Sequence, residues 1–121
     1  MITFYWYPNC DTCRKARKAL DATGIEVRAK DITTHPPSAA EMGRWLKSGQ
    51  VELKQLLNTS GHDYRAQGMK DKVASLPSGE ILKLLAGNGK LIKRPVLTDG
   101  KRVTVGFRDP KAVLAVWKTG N

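Results

Sequence analysis

Both cysteines of the chain fall within four residues, Cys10-Asp11-Thr12-Cys13, and the sequence changes its period on either side of them. Before them ITFYWY alternates, with Ile2, Phe4 and Trp6 opposed to Thr3, Tyr5 and Tyr7, and Pro8 removes the amide that a longer strand would need. After them, residues 12–23 gather Ala16, Ala19 and Leu20 on one side and leave Arg14, Lys15, Arg17 and Lys18 mostly outside it. That is an amphipathic helix, ended by Gly24. IEVRAKDI alternates again, Ile25, Val27 and Ala29 against Glu26, Arg28 and Lys30. Strand, helix and strand in this order predict a parallel β-α-β crossover, which places Cys10 where the first loop enters the helix.

The middle has a different texture. THPPSA at 34–39 is a breaker, and Ser38 with Glu41 predicts a capping box for a helix over AAEMGRWLK. VELKQLLN reads as a second short helical piece, NTSG as a turn, and the polar stretch to about residue 75 as more helical insert. In SGEILKLLA, Ile81, Leu82, Leu84 and Leu85 share a buried face, with Ser78 as the expected N-cap and Gly87 as the stop. PVLTDGKRVTVGF then predicts a hairpin turning at Asp99-Gly100, with Val103, Val105 and Phe107 on one side. A last helix over residues 109–118 would use Ala112, Val113, Val116 and Trp117 as its apolar stripe.

The expected fold is therefore α/β: a thioredoxin-like, four-stranded mixed sheet flanked by helices, with a helical insert at about 38–76 after the first β-α-β unit. At 121 residues the chain reads as one such domain, 1–121. No apolar run approaches the roughly 20 residues that span a bilayer, and the first residues do not have the form of a signal peptide. A cytoplasmic protein with no membrane partner is expected. In that compartment a C-x-x-C pair is a poor structural staple, because it closes a very short loop and reducing conditions oppose it.

Chemistry or metal binding remains. A thiol at the first turn of a helix meets unpaired amides and the positive end of the helix dipole, both of which favour thiolate. Arg14 and Lys15 add positive charge and Asp11 opposes it. Cys10 is accordingly the candidate nucleophile, and Cys13, a turn further in, the sheltered partner that resolves an adduct. Zinc would need two more ligands than C-x-x-C supplies, and nothing in the spacing of His35 and His62 singles them out, so no metal is expected. In LIKRPVLTD, Pro95 opens a strand where a cis peptide is tolerable. In a thioredoxin-like sheet such a loop faces the active cysteine and would carry Arg94 there. Arg108, just after the last strand, is a further candidate, since guanidinium groups grip oxyanions with paired hydrogen bonds. The candidate substrate-binding set is Arg94, Arg108, Pro95 and Arg14.

Three segments together carry a resemblance over nearly the whole chain: YPNCDTCRKAR, then LKQLLNTSG, then LIKRPVL with VGF ahead of a short helix. The chain resembles the arsenate reductase and Spx superfamily, most of all a small bacterial branch proposed to consist of glutathione-dependent thiol reductases. The resemblance implies a reactive cysteine at Cys10. In the glutathione- and glutaredoxin-coupled arsenate reductases that cysteine attacks arsenate, held by three arginines, of which Arg94 matches the second and Arg108 the third. Where the first belongs, in an NTRG-like turn, this chain has Ser60, which offers one hydroxyl and no charge. Arg65 lies a few residues on. Cys13 is also foreign to that class of reductase and matches the redox pair of the Spx-type regulators, which bind the RNA polymerase alpha subunit.

The preferred reading is a thiol–disulfide oxidoreductase, glutathione-linked, with Cys10 as nucleophile and Cys13 or an external thiol as resolver. It would have no tightly bound cofactor, glutathione as co-substrate, a small anionic or disulfide substrate, and glutaredoxin as a further partner. The alternatives are an Spx-like redox sensor that binds the RNA polymerase alpha subunit, and a true glutathione- or glutaredoxin-coupled arsenate reductase. A formal charge of +10 would draw phosphate backbones without selecting among them. No recognition helix or zinc knuckle is present, so no specific nucleic acid is expected.

Overall fold

The computed structural model describes residues 1–118. Their strands form one mixed sheet in the order β2-β1-β3-β4. β1 (Ile2–Trp6) runs parallel to β2 (Val27–Asp31), with Phe4 opposite Ala29. On its other side it runs antiparallel to β3 (Val96–Thr98), with Phe4 opposite Leu97. β4 (Val103–Val105) pairs antiparallel with β3 and closes the far edge. The right-handed crossover rule accounts for the connection: α1 (Asp11–Ala22) carries the chain from β1 to its parallel neighbour. This is the thioredoxin-like arrangement with extra helices.

Alternation in β1 feeds two cores. Phe4 packs with Ala16 and Leu20 of α1, with Leu97, and with Phe107 and Trp117, the last from α7 (Pro110–Lys118). Tyr5 faces the other way, into a larger cluster with Ile32, Met42, Trp45, Ile81, Leu85 and Val96. That cluster is roofed by α2 (Ala39–Lys47) and by α6 (Ser78–Gly87). Between these two helices lie three short ones, α3 (Leu53–Leu56), α4 (His62–Ala66) and α5 (Met69–Ser75). Among the described residues no helix is long and apolar enough to cross a membrane.

Several local expectations are corrected. The helical piece expected over VELKQLLN shrinks to α3, because Leu57 turns extended and forms a β-bridge with Ile92 instead of another helical turn. Ser38 does cap α2 by accepting from the Glu41 amide at 3.0 Å. The Glu41 carboxylate, however, accepts from the buried Tyr5 hydroxyl at 3.1 Å, and burial together with that carboxylate pushes the phenol up to about 12. Pro77, not Ser78, is the N-cap of α6, and Gly87 is its last helical residue, with Asn88 as the C-cap. The hairpin forms at Asp99-Gly100, where the Asp99 carboxylate collects the Lys101 and Arg102 amides at 2.9 and 2.7 Å. Val103 and Val105 belong to the insert-side cluster and Phe107 to the other. The alternation breaks at Gly106, whose φ of 82° no side chain tolerates cheaply. In α7, Ala112 is exposed and Leu114 takes its place in the stripe. Ala29, on the edge strand, is exposed as well.

One close approach binds the insert side to the sheet. Gly89 opens a single 3₁₀ turn, Gly89–Leu91, and a Cβ there would sit 1.8 Å from the Ile32 carbonyl oxygen. Backbone would have to yield. Gly89→Ala is expected to cost about 2–3 kcal/mol of stability, read as a lower urea midpoint, and a loss below about 0.5 kcal/mol would contradict this packing.

Candidate functional site

The loop from β1 to α1 is short and fully tied. Cys10 donates its amide to the Tyr7 carbonyl at 3.0 Å and accepts the Arg14 amide on its own carbonyl at 3.0 Å. It is the N-cap of α1, with extended backbone at φ −101° and ψ 115°. Its Sγ does what a capping oxygen does elsewhere, accepting the Cys13 amide at 3.3 Å. The two sulfurs are not equivalent: Cys10 is half-buried and Cys13 wholly buried. Burial, and then the hydrogen bond to the Cys10 sulfur, push the Cys13 thiol from an ordinary 9.0 up to about 12, against an opposing pull from the Tyr7 amide and Arg94. Both cysteines are free thiols.

Arg94 reaches this corner from the strand side. The Arg94–Pro95 bond is cis, as the sequence allowed. The guanidinium carbon lies 5.0 Å from the centroid of the Tyr7 ring, and among the described residues Nε and Nη1 are buried with no hydrogen-bond partner. A cation held against an aromatic face keeps its donors unspent. Two supports set the position. The Pro95 carbonyl accepts the Gly106 amide at 2.8 Å, and the turn at Gly106 brings Phe107 and Arg108 back beside Arg94. The insert is stitched to the preceding residues: the Lys93 amide donates to Leu56 at 2.7 Å, the Asn58 amide to Leu91 at 2.9 Å, and the Asn58 side chain to Lys90 at 3.1 Å.

Between these parts opens a cleft of about 760 Å³. Its walls are Thr12 and Lys15 from α1, Lys54 and Gln55 from α3, Leu57 and Thr59 from the turn that follows, Lys93 and Arg94, and the run from Val105 to Arg108 with Pro110. The structure thus brings Arg94 and Arg108 together at one cleft beside the start of α1. Cys10 is not itself among the lining residues; its helix-start neighbours are. Pro95 is buried behind Arg94. Arg14 stands apart, exposed, paired with Asp11 and donating to the Pro8 carbonyl at 2.6 Å. At the NTSG turn, Thr59 and not Ser60 faces the cleft, while Arg65 donates to the Ser60 carbonyl at 3.1 Å. Among the described residues no three His, Cys, Asp or Glu side chains gather as metal ligands.

Residues 5–115 match the model of the ArsC family. The chain belongs to the ArsC family. It is 46% identical over 108 residues to the uncharacterised protein YusI of Bacillus subtilis, spanning 89% of this chain and 92% of YusI. It is 43% identical to a possible arsenate reductase from Streptococcus mutans UA159, with a TM-score of 0.88 over 95% of this chain and 98% of that one. It is also 29% identical over 109 residues to the global transcriptional regulator Spx of Listeria innocua, spanning 90% of this chain and 82% of Spx. The ArsC/Spx fold is that of a redox and regulatory superfamily, and this ArsC chain shares it.

What the sequence did not single out in this ArsC chain is the rest of the cleft. The Tyr7–Arg94 contact joins two distant segments, and Lys54, Gln55 and Thr59 as wall follow from the Leu57–Ile92 bridge, whose trace in the sequence is two short apolar runs, LL and LI. The asymmetry of the cysteines has a direct check. Alkylation needs thiolate, whose fraction rises with pH; with a value of about 12 for Cys13, only about one part in ten thousand is ionised at pH 8. Iodoacetamide at pH 8 is therefore expected to modify Cys10 of the folded protein and spare Cys13, by peptide mass mapping, and equal labelling of both would contradict the geometry.

Proposed function

We propose that the protein is a thiol–disulfide oxidoreductase in which Cys10 attacks and Cys13 resolves. The observation that carries this reading is the Cys13 amide on Cys10 Sγ, with a protonated, buried Cys13 thiol behind it. A helix-start amide stabilises charge on the attacking sulfur. Cys10 attacks one sulfur of a substrate disulfide and expels the other as thiolate. Cys13 then gives up its proton and attacks Cys10 Sγ, releasing the bound half as thiolate and leaving a Cys10–Cys13 disulfide. Two molecules of glutathione, or glutaredoxin, would restore the dithiol at the cost of two electrons. Arg94 and Arg108 would orient the anionic part of the substrate.

Arsenate reduction is the weaker assignment. The turn that would bring a third arginine has Ser60, and the Arg65 guanidinium beside it is engaged with the Ser60 carbonyl. A lost charge-assisted contact to a developing anion costs about 2–5 kcal/mol. The likeness to Spx supports a second reading, a redox-sensing regulator that docks on the RNA polymerase alpha subunit.

A side-by-side assay separates the three. The wild type is expected to reduce a glutathionylated substrate with glutathione as donor, Cys10→Ser to fall to background, and arsenate turnover to be weak or absent until Ser60→Arg raises it by about tenfold or more. Strong wild-type arsenate turnover would overturn the argument from Ser60. No turnover on either substrate, with alpha subunit recovered from extract, would replace the enzyme by the regulator.

A further inference from the structure

The charge of the cleft narrows the substrate beyond a thiol adduct in general. Among the described residues its wall carries five cationic side chains, Lys15, Lys54, Lys93, Arg94 and Arg108, and neither an aspartate nor a glutamate. The carboxylates nearest in sequence are spoken for: Asp11 by Arg14, Glu52 by Lys54 and the first turn of α3, Asp109 by the Ala112 amide at 3.2 Å. Among the described residues Lys15, Lys93, Arg94 and Arg108 form no ion pair, and Arg94 holds two buried, unbonded nitrogens. Unspent donors of one sign, in a bounded cleft of about 760 Å³, suit a small polyanion.

Glutathione fits that description only in part. It has two carboxylates, but its ammonium would enter a wall with no acceptor of opposite charge. A phosphate ester brings about −1.5 to −2 charge at pH 7 and three acceptor oxygens, with no cation to place. Arginine binds such a group through two parallel bonds, and lysine as a point charge. A surface built to read another protein would extend well past one cleft, toward roughly 800 Å² per partner.

We infer that the cleft selects low-molecular-weight thiols that carry phosphate, presented as disulfides. The inference rests on the thiol-exchange reading above and names its substrate class. The phosphate lies among Lys15, Lys93, Arg94 and Arg108, the cleft cations outside any ion pair among the described residues, and the thiol arm extends to Cys10. The step needs no added reductant in a single turnover. Cys10 attacks one sulfur of RS–SR and releases RS⁻; Cys13 attacks Cys10 Sγ and releases the second RS⁻. The enzyme ends as its Cys10–Cys13 disulfide, and the substrate, two electrons richer, as two thiols protonated from the cysteines and solvent.

Pantetheine and 4′-phosphopantetheine share one thiol arm and differ by one phosphate. Stopped-flow reduction of their symmetrical disulfides by the reduced protein, beside glutathione disulfide and the disulfide of an acidic cysteinyl peptide, isolates that group. The phosphorylated disulfide is expected to react about tenfold faster than pantetheine disulfide or more, and faster than the other two. The ratio should shrink as salt rises toward 1 M, and fall toward one in the Lys15→Ala/Lys93→Ala double variant. Equal rates for the two pantetheine compounds, a faster glutathione or peptide disulfide, or a ratio unmoved in the double variant would overturn the inference and leave the exchange chemistry standing. Failure to reduce any of the four would overturn the exchange chemistry, and the inference with it.

Discussion

The Lys93 amide donating to the Leu56 carbonyl at 2.7 Å, with the Leu57–Ile92 bridge beside it, is the contact on which the site depends. It is a fragment of sheet formed outside the sheet. It fixes the end of the insert against the strand that carries Arg94, and in doing so turns two unrelated loops into the facing walls of one cleft. With the Asn58 bonds to Leu91 and Lys90 it sets α3 and the NTSG turn relative to Arg94. Gly106, bonded to the Pro95 carbonyl, performs the same service for Arg108 from the other side. The fold therefore supplies the site through three backbone junctions, at Cys10, at Lys93 and at Gly106, all at one end of the sheet.

Burial then divides labour between two identical side chains. Cys10, at the N-cap, keeps its sulfur half-exposed and bonded to a helix amide, whereas Cys13 is driven into the core with Ala16 and Leu20 and keeps its proton. A pair of equally exposed thiols would oxidise to a disulfide without an order of events. In the proposed exchange this asymmetry would set the order, the outer thiol attacking first and the inner one resolving the adduct. Arg94 obeys the same economy of charge. Seated on Tyr7 at 5.0 Å and, among the described residues, in no ion pair, it keeps two buried nitrogens unbonded, which under the proposed function would meet an incoming anion.

The frame was legible in the sequence because its signals are local. The alternation of β1, the C-x-x-C entry to α1, the Asp99-Gly100 hairpin and the leucine face of α6 each depend on a few neighbouring residues, and each formed. Arg94 and Arg108 were reached through the strand-start proline and the family likeness, and the structure sets them at one cleft. Misreadings fell where distant partners decide. Glu41 forsook its expected cap role for Tyr5, thirty-six residues away in sequence. Leu57 left its helix for Ile92. Phe107 changed faces at one positive-φ glycine. Arg14, singled out for its nearness to Cys10, pairs instead with Asp11 on the outer face of α1.

Peptide mapping by mass spectrometry, after brief exposure to glutathione disulfide and an acid quench, reads the order of the two sulfurs directly. A Cys10–Cys13 disulfide is expected in the wild type, and a stable glutathione adduct on Cys10 in Cys13→Ser. An adduct on Cys13 in the wild type, or none on Cys10 in Cys13→Ser, would contradict that order.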